Sequence, residues 1–391
     1  MKDQVTRRDF VKTGVVAAAG MAAGIAPIPT VYAGNPTDQK TDAILNYNQQ
    51  MEYRLGGKTG VMFSAVCLVG HWKRVNAVVP NAFSGKSWLS ASVEDNAFLK
   101  NRYDVVTQCI ERGINYIDAC TESEVAAYSK ALTGRRDKMY LGCSWHPKDS
   151  RIAEWRTTEK LKQAMDEGLK ANGLEYVDLW RITAHEHSSR HTEAEIESAV
   201  AALDWAKKTG RARWTGFSTH DRPHIKLLIE KYPDQIDAIC TPYTAKTKLS
   251  GARIETAEEG VWDSSRVVKV DDEAWENSLW FAMQKAGVAW FGIKPFASNS
   301  LFRGDSSPGN PFEEEDNKMA RLTIRAILSN PVITAPIPGL ITPAQVDNVA
   351  TAVLQRRVLD TEEQAQLDAA TDRAYANLPY HYRWLNDWEY V

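Results

Sequence analysis

The chain reads as a closed parallel (β/α)8 barrel. Three observations predict it: eight short, mostly continuous apolar runs, amphipathic helical patterns between most of them, and long insertions that follow strands. Short continuous apolar runs are the pattern of strands buried on both faces. They fall at residues 66–70, 116–119, 140–144, 177–182, 213–218, 236–241, 288–293 and 332–337. Between them, Leu161, Ala164, Met165 and Leu169 recur at helical spacing, as do Ile196, Val200 and Leu203, each set marking one apolar helix face. Strand followed by helix, repeated eight times, favours a closed barrel over an open doubly wound sheet, because right-handed crossovers place every helix outside. A GxGxxG turn, which would open a doubly wound dinucleotide domain, is absent after the first run. The 391 residues exceed the roughly 250 of a plain barrel. The surplus lies in residues 73–92, 244–271 and 300–315, all on the C-terminal face, where barrel enzymes carry their active sites.

The first 33 residues stand apart from the fold. Thr6-Arg7-Arg8-Asp9-Phe10-Val11-Lys12 is a twin-arginine consensus, followed by the apolar run 13–26 and by Val31-Tyr32-Ala33, whose small residues suit a signal peptidase. An uncleaved apolar anchor is the alternative, but the run is shorter than the roughly 20 residues a membrane span needs. The expected compartment is the periplasm, and the expected partner is the twin-arginine export machinery. Residues 34–50 are polar and lack periodicity, which predicts a linker, with the barrel and an aromatic tail in 51–391. A hydrophobic content of 43% and a charged content of 25% are those of an ordinary globular protein. A net charge of -3 with no basic stripe excludes nucleic acid as a partner. The five cysteines, Cys67, Cys109, Cys120, Cys143 and Cys240, occur singly and predict buried free thiols.

Several segments carry a family resemblance. Tyr53-Arg54-Leu55-Gly56-Gly57-Lys58-Thr59-Gly60-Val61, leading into Ser64-Ala65-Val66-Cys67-Leu68-Val69-Gly70, resembles the hairpin and first strand of aldo/keto reductases. Gly113-Ile114-Asn115-Tyr116-Ile117-Asp118, Leu174-Glu175-Tyr176-Val177-Asp178-Leu179, the segment Gly210 through Ser218, and Ile337-Pro338-Gly339 are similar to later signatures of that family in the right order. The resemblance covers roughly residues 52 to 370 and implies an oxidoreductase with a tightly bound nicotinamide cofactor, NADP or NAD. In that family a tyrosine, tuned by a lysine, a histidine and an aspartate, gives the proton to a carbonyl. Of these four, Asp118 is retained. The tyrosine is missing from Ala119-Cys120-Thr121-Glu122-Ser123-Glu124, Ser144 stands for the lysine, and Thr183 stands for the histidine, with His185 and His187 just beyond. A tyrosine near pKa 10 needs a positioned cation to work near neutral pH, so brisk reduction of simple aldehydes is not expected. Basic residues that relatives often place after Pro-Gly are replaced by Leu340, Ile341 and Gln345.

The mouth of the predicted barrel nevertheless collects titratable groups: His71, Asp118, Glu122, Glu124, His146, His185, Glu186, His187, His220, Asp221 and Lys294. Two carboxylates close together raise one pKa, which predicts Asp118 and Glu122 as an acid pair with His185 as the base. The bland alternatives are a mouth that is simply polar and wet, with histidines capping helices or bonding backbone and Asp118 accepting backbone N–H bonds. Ser218, Thr219, Lys294, Ser298 and Gly339 match cofactor-binding positions of the resemblance. The substrate class it suggests, with the aromatic tail 378–391, is a small polyhydroxylated or carbonyl compound. Two further readings remain: a metal-dependent or acid–base lyase or hydrolase, with His185 and His187 as metal ligands, and a ligand-binding pseudoenzyme.

Overall fold

The computed structural model of the chain describes residues 43–83, 85, 93–184, 188–254 and 267–391. The expected signal 1–33 lies outside these residues. Among them no helix is long and apolar enough to cross a membrane. The end of the expected linker belongs to the barrel instead of leading to it. Ile44 is buried, Asn46 donates its amide to the Ile114 carbonyl at 3.2 Å, and Asn48 donates to the Glu111 carbonyl at 2.9 Å. Polar composition hid this, because an asparagine that satisfies backbone carbonyls reads in sequence like one facing water.

The hairpin of β1 (Tyr53–Leu55) and β2 (Met62–Ser64) is antiparallel, with Tyr53 opposite Ser64. It plugs the base of the barrel. Phe63 meets Tyr116, Tyr140, Trp214 and Phe291 edge-on, with ring centroids 5.1 to 5.9 Å apart. The barrel staves are β3 (Leu68–Val69), β4 (Tyr116–Thr121), β5 (Tyr140–His146), β6 (Val177–Thr183), β7 (Ala212–Ser218) and β8 (Ala238–Pro242). After an excursion through the hairpin β9 (Ala252–Ile254) and β10 (Val267–Lys269), β11 (Ala289–Ile293) and β12 (Ala335–Pro336) complete them. All eight predicted runs are thus strands of one parallel sheet, ordered β3-β4-β5-β6-β7-β8-β11-β12. The ring closes where the Cys67 and Val69 amides donate to the Pro336 and Pro338 carbonyls at 3.1 and 3.0 Å. Gly216 lets β7 approach β8, since a Cβ there would lie 1.8 Å from the Ala238 carbonyl oxygen.

The helices surround the sheet and start where sequence chemistry starts them. Helix Glu122–Ala131 opens with a Thr121/Glu124 capping box and helix Glu193–Lys208 with Thr192/Glu195. Leu161, Ala164, Met165 and Leu169 are buried, as are Ile196, Val200 and Leu203, so the predicted stripes are the faces that pack on the barrel. The tail returns to the mouth as Tyr380–Trp388, and the chain end pairs with the excursion, the Lys248 amide donating to the Glu389 carbonyl at 2.7 Å.

Candidate active site

Side chains alternate across a strand, so Tyr116 and Asp118 of β4 share the barrel interior with Leu179, Arg181 and Thr183 of β6. Arg181 is the residue the sequence reading passed over. Its Nε donates to both Asp118 carboxylate oxygens at 2.9 and 2.8 Å, and Nη2 also binds Asp118, so the ion pair is fully inside the barrel. The Tyr116 hydroxyl donates to Asp118 Oδ2 at 2.8 Å and the Cys240 thiol reaches the same oxygen at 3.4 Å. Burial by itself raises a carboxyl pKa. Here the Arg181 charge, aided by the Tyr116 and Cys240 hydrogen bonds, overrides it and holds Asp118 below the usual carboxylate range. The same burial, with Asp118 beside them, pushes Tyr116 and Cys240 well up, so neither ionises near neutral pH. A charge inside an apolar strand run needs a buried partner. An arginine within Val177-Asp178-Leu179-Trp180-Arg181-Ile182 was therefore the available signal.

The expected acid pair is not formed. Asp118 is paired with Arg181, and its carboxyl is lowered, not raised. Glu122 is the first residue of its helix, is partly exposed, and accepts from Lys148 Nζ at 2.9 Å. Neither lines the cleft at the barrel mouth. His185, Glu186 and His187 lie outside the described residues. Among the described residues no group of three or more His, Cys, Asp or Glu is placed to hold a metal ion.

That cleft, of about 510 Å³, has Arg181, Thr183 and Cys120 at its floor. Arg181 Nη1 donates to the Thr183 hydroxyl at 3.1 Å, which donates to Ser144 at 2.8 Å, which donates to Asp149 at 2.9 Å. Ser144 and Thr183 therefore carry one polar relay away from the guanidinium. On the wall above stand His71, Ser218 and His220. His71 Nδ1 lies 2.8 Å from Glu124 Oε1, and the glutamate side chain is wholly buried. The cleft continues past Lys294 and Ser298 to Gly339 and Asn348. Lys294, Ala297, Ser298 and Asn299 all adopt positive φ, from 46° to 72°. Lys73 Nζ donates to the Ser298 hydroxyl at 2.8 Å and to the Tyr382 hydroxyl. Of the five expected cofactor positions, Ser218, Lys294, Ser298 and Gly339 line this cleft. Thr219 does not. It is buried, and its hydroxyl accepts from the Asp221 amide at 3.1 Å in the turn that starts the next helix. His146 is also off the cleft, and Asp221 caps helix Arg222–Lys231.

The aromatic tail both packs and covers. Leu385 and Trp388 are buried, and the Trp388 indole donates to the His220 carbonyl at 2.9 Å. Trp384 stacks on the His220 ring with centroids 3.7 Å apart and 15° between planes. Tyr382 and His381 face the cleft, and Lys294 sits 5.8 Å from the Tyr382 and Trp384 rings.

Residues 88–249 match the aldo/keto reductase family. No curated protein matches the chain by sequence. Among solved structures, the holo form of an aldo-keto reductase from Bacillus halodurans is 17% identical, with a TM-score of 0.53, covering 85% of this chain and 99% of that one. An aldo-keto reductase from Klebsiella pneumoniae in complex with NADPH is 15% identical, with a TM-score of 0.53, covering 81% of this chain and 93% of that one. The chain thus has the aldo/keto reductase barrel fold, with the family match itself over residues 88–249.

Proposed function

We propose that this protein is an oxidoreductase of the aldo/keto reductase type, acting on a small polyhydroxylated or carbonyl compound with a nicotinamide dinucleotide, NADP or NAD. It is exported to the periplasm on the twin-arginine signal read from Arg7 and Arg8. One observation carries the chemistry. A single cleft joins a polar floor of Arg181 and Thr183, with His71 on the wall above, to a wall that carries the Lys294 charge and Ser298, and so offers room for two reactants side by side.

The residues present suit the cofactor. Two ammonium groups, Lys73 and Lys294, flank a turn of successive left-handed residues, a backbone that presents N–H groups to anions, and this combination matches a diphosphate. Ser218 at the end of β7 would hold the nicotinamide carboxamide, with Gly339 letting the chain pass close to the β3 loop, where a Cβ would lie 2.1 Å from the His71 carbonyl oxygen. When bound, the dinucleotide supplies hydride exchange. The protein supplies the rest. Leu340 and Ile341 are buried, and the Gln345 side chain accepts from the Ile341 amide at 2.9 Å, so that turn presents no cation to a 2′-phosphate. Arg74, which donates to the Gly304 carbonyl at 2.7 Å, places a guanidinium on the same cleft's wall.

The test is a titration of the protein, purified through its own export route, with NADPH and NADH, followed by nicotinamide fluorescence. Saturable binding of one of them, weakened in Lys294→Ala, is expected. No binding of either, with no nicotinamide absorbance in the purified protein, would sink this reading.

A further inference from the structure

We propose that the floor of the cleft is a carboxylate site in which Arg181 holds the acid group of the substrate, so that the substrate is a small hydroxy acid or the matching oxo acid. The proposal deepens the oxidoreductase reading above by naming a substrate class, and it rests on substrate binding in that cleft.

The bonds of the guanidinium lead to it. An arginine side chain has five N–H groups in one rigid plane. Asp118 occupies the fork formed by Nε and Nη2, and the Thr183 hydroxyl accepts one N–H of Nη1. One N–H on each terminal nitrogen is left over, and among the described residues neither meets an acceptor. Arg181 is only 2% exposed, so bulk water hardly reaches these two donors, and a buried donor left unbonded is destabilising. The side chain borders the cleft, where a ligand can serve both. Planar paired donors on a cation are the match for a carboxylate.

The surrounding charges give the ligand its sign. Asp118 neutralises Arg181 but does not line the cleft, so the ion pair turns its positive pole to the ligand. Burial opposes the charge on Arg181, but Asp118 overrides burial and holds the pKa well above its ordinary range, so the group stays cationic. Thr183 gives its own proton to Ser144, which gives its proton to buried Asp149, so Arg181 is the donor that this corner of the floor offers. Among the described residues the carboxylates that line the cleft are Glu313 and Asp316, both on helix Glu313–Leu328. Asp316 there accepts the Arg303 and Gly304 amides at 2.8 Å. The strand ends therefore present Arg181, Thr183, Cys120 and Ser218 to a ligand without an opposing carboxylate.

Isothermal titration of the purified full-length protein tests the site with lactate and gluconate, each set against a neutral counterpart, lactamide and sorbitol. At least one acid is expected to bind about 10- to 100-fold more tightly than its counterpart, the equivalent of one charge-assisted contact. In Asp118→Asn the guanidinium loses its counterion, so the same acid should bind more tightly than to the parent and raise the melting temperature more. Asp118→Asn with Arg181→Met, whose melting curve is recorded first, should lose the preference for the acid. Arg181→Lys keeps a charge beside Asp118 without the planar fork and takes over the comparison if the double variant does not fold. Equal binding of acid and counterpart by the parent, including no binding of either, overturns the proposal. So does a preference that survives in a folded Arg181 variant, or an Asp118→Asn variant that gains nothing. The acid titration is then repeated on protein saturated with the dinucleotide. Persisting binding places the acid beside the cofactor, whereas competition assigns the site to the cofactor's diphosphate and overturns the substrate class. Failure of the parent to bind NADH or NADPH defeats the oxidoreductase reading alone and leaves the acid titrations to judge the carboxylate site.

Discussion

Replacing Asp118 by asparagine keeps the shape and one acceptor but removes the counterion of a fully buried guanidinium. Arg181 then keeps its charge inside the barrel, facing Thr183, Cys240, Cys120 and an amide, none of them a counterion. Breaking a buried pair from one side costs about 3–5 kcal/mol, because the remaining ion is desolvated and uncompensated. With an unfolding entropy of about 2.1 cal/mol/K per residue over a domain of roughly 340 residues, each kcal/mol shifts the melting temperature by about 1.4 °C, so a fall of about 4–7 °C is expected. The pH dependence has a definite sign. A carboxyl held below its ordinary range contributes stability that is complete above the unfolded pKa, about 3.9, and is lost as pH falls through the folded value. The gap between parent and Asp118→Asn should therefore be full at pH 7 and shrink in acid below about pH 4. Adding Arg181→Met should recover most of the loss, since an apolar side chain needs no counterion. Calorimetry at several pH values measures all of this. A single variant within about 1 °C of the parent at pH 7, or a double variant less stable than Asp118→Asn, would refute the ion-pair account.

Lys294→Ala and Lys73→Ala should each weaken NADPH binding by about tenfold to a hundredfold, the equivalent of losing one charge-assisted contact of about 1.5–3 kcal/mol. Unchanged affinity in both would remove the diphosphate assignment. Trp384→Ala loses the ring stacked on His220 and is expected to cost about 0.5–1.5 kcal/mol beyond the area it uncovers, read as a lower melting temperature. No change would show that the tail is held by Trp388 and Leu385 alone. Arg7→Lys with Arg8→Lys should leave precursor in the cytoplasm, and an unchanged periplasmic yield would disprove the twin-arginine assignment.

The barrel was determined by sequence alone because its signals are local and periodic. Buried strands read as apolar runs, helix faces repeat every three to four residues, and caps such as Thr121 with Glu124 sit at fixed spacing. The place of Ser218, Lys294, Ser298 and Gly339 on the cleft was also legible, since the end of a barrel strand can be counted from its start. The polar interior did not follow. Asp118 looked like half of an acid pair because its nearest charged neighbour in the chain is Glu122, whereas in space its partner is Arg181, 63 residues away on β6. Glu124 was one of many titratable groups at the mouth until the fold set His71 beside its Oε1. Thr219 looked like its neighbour Ser218 until the turn claimed its hydroxyl. A charge or hydroxyl carries no periodicity that names its partner, and in a closed barrel every staff of the ring can supply one, so these pairings were decided only when the strands came together.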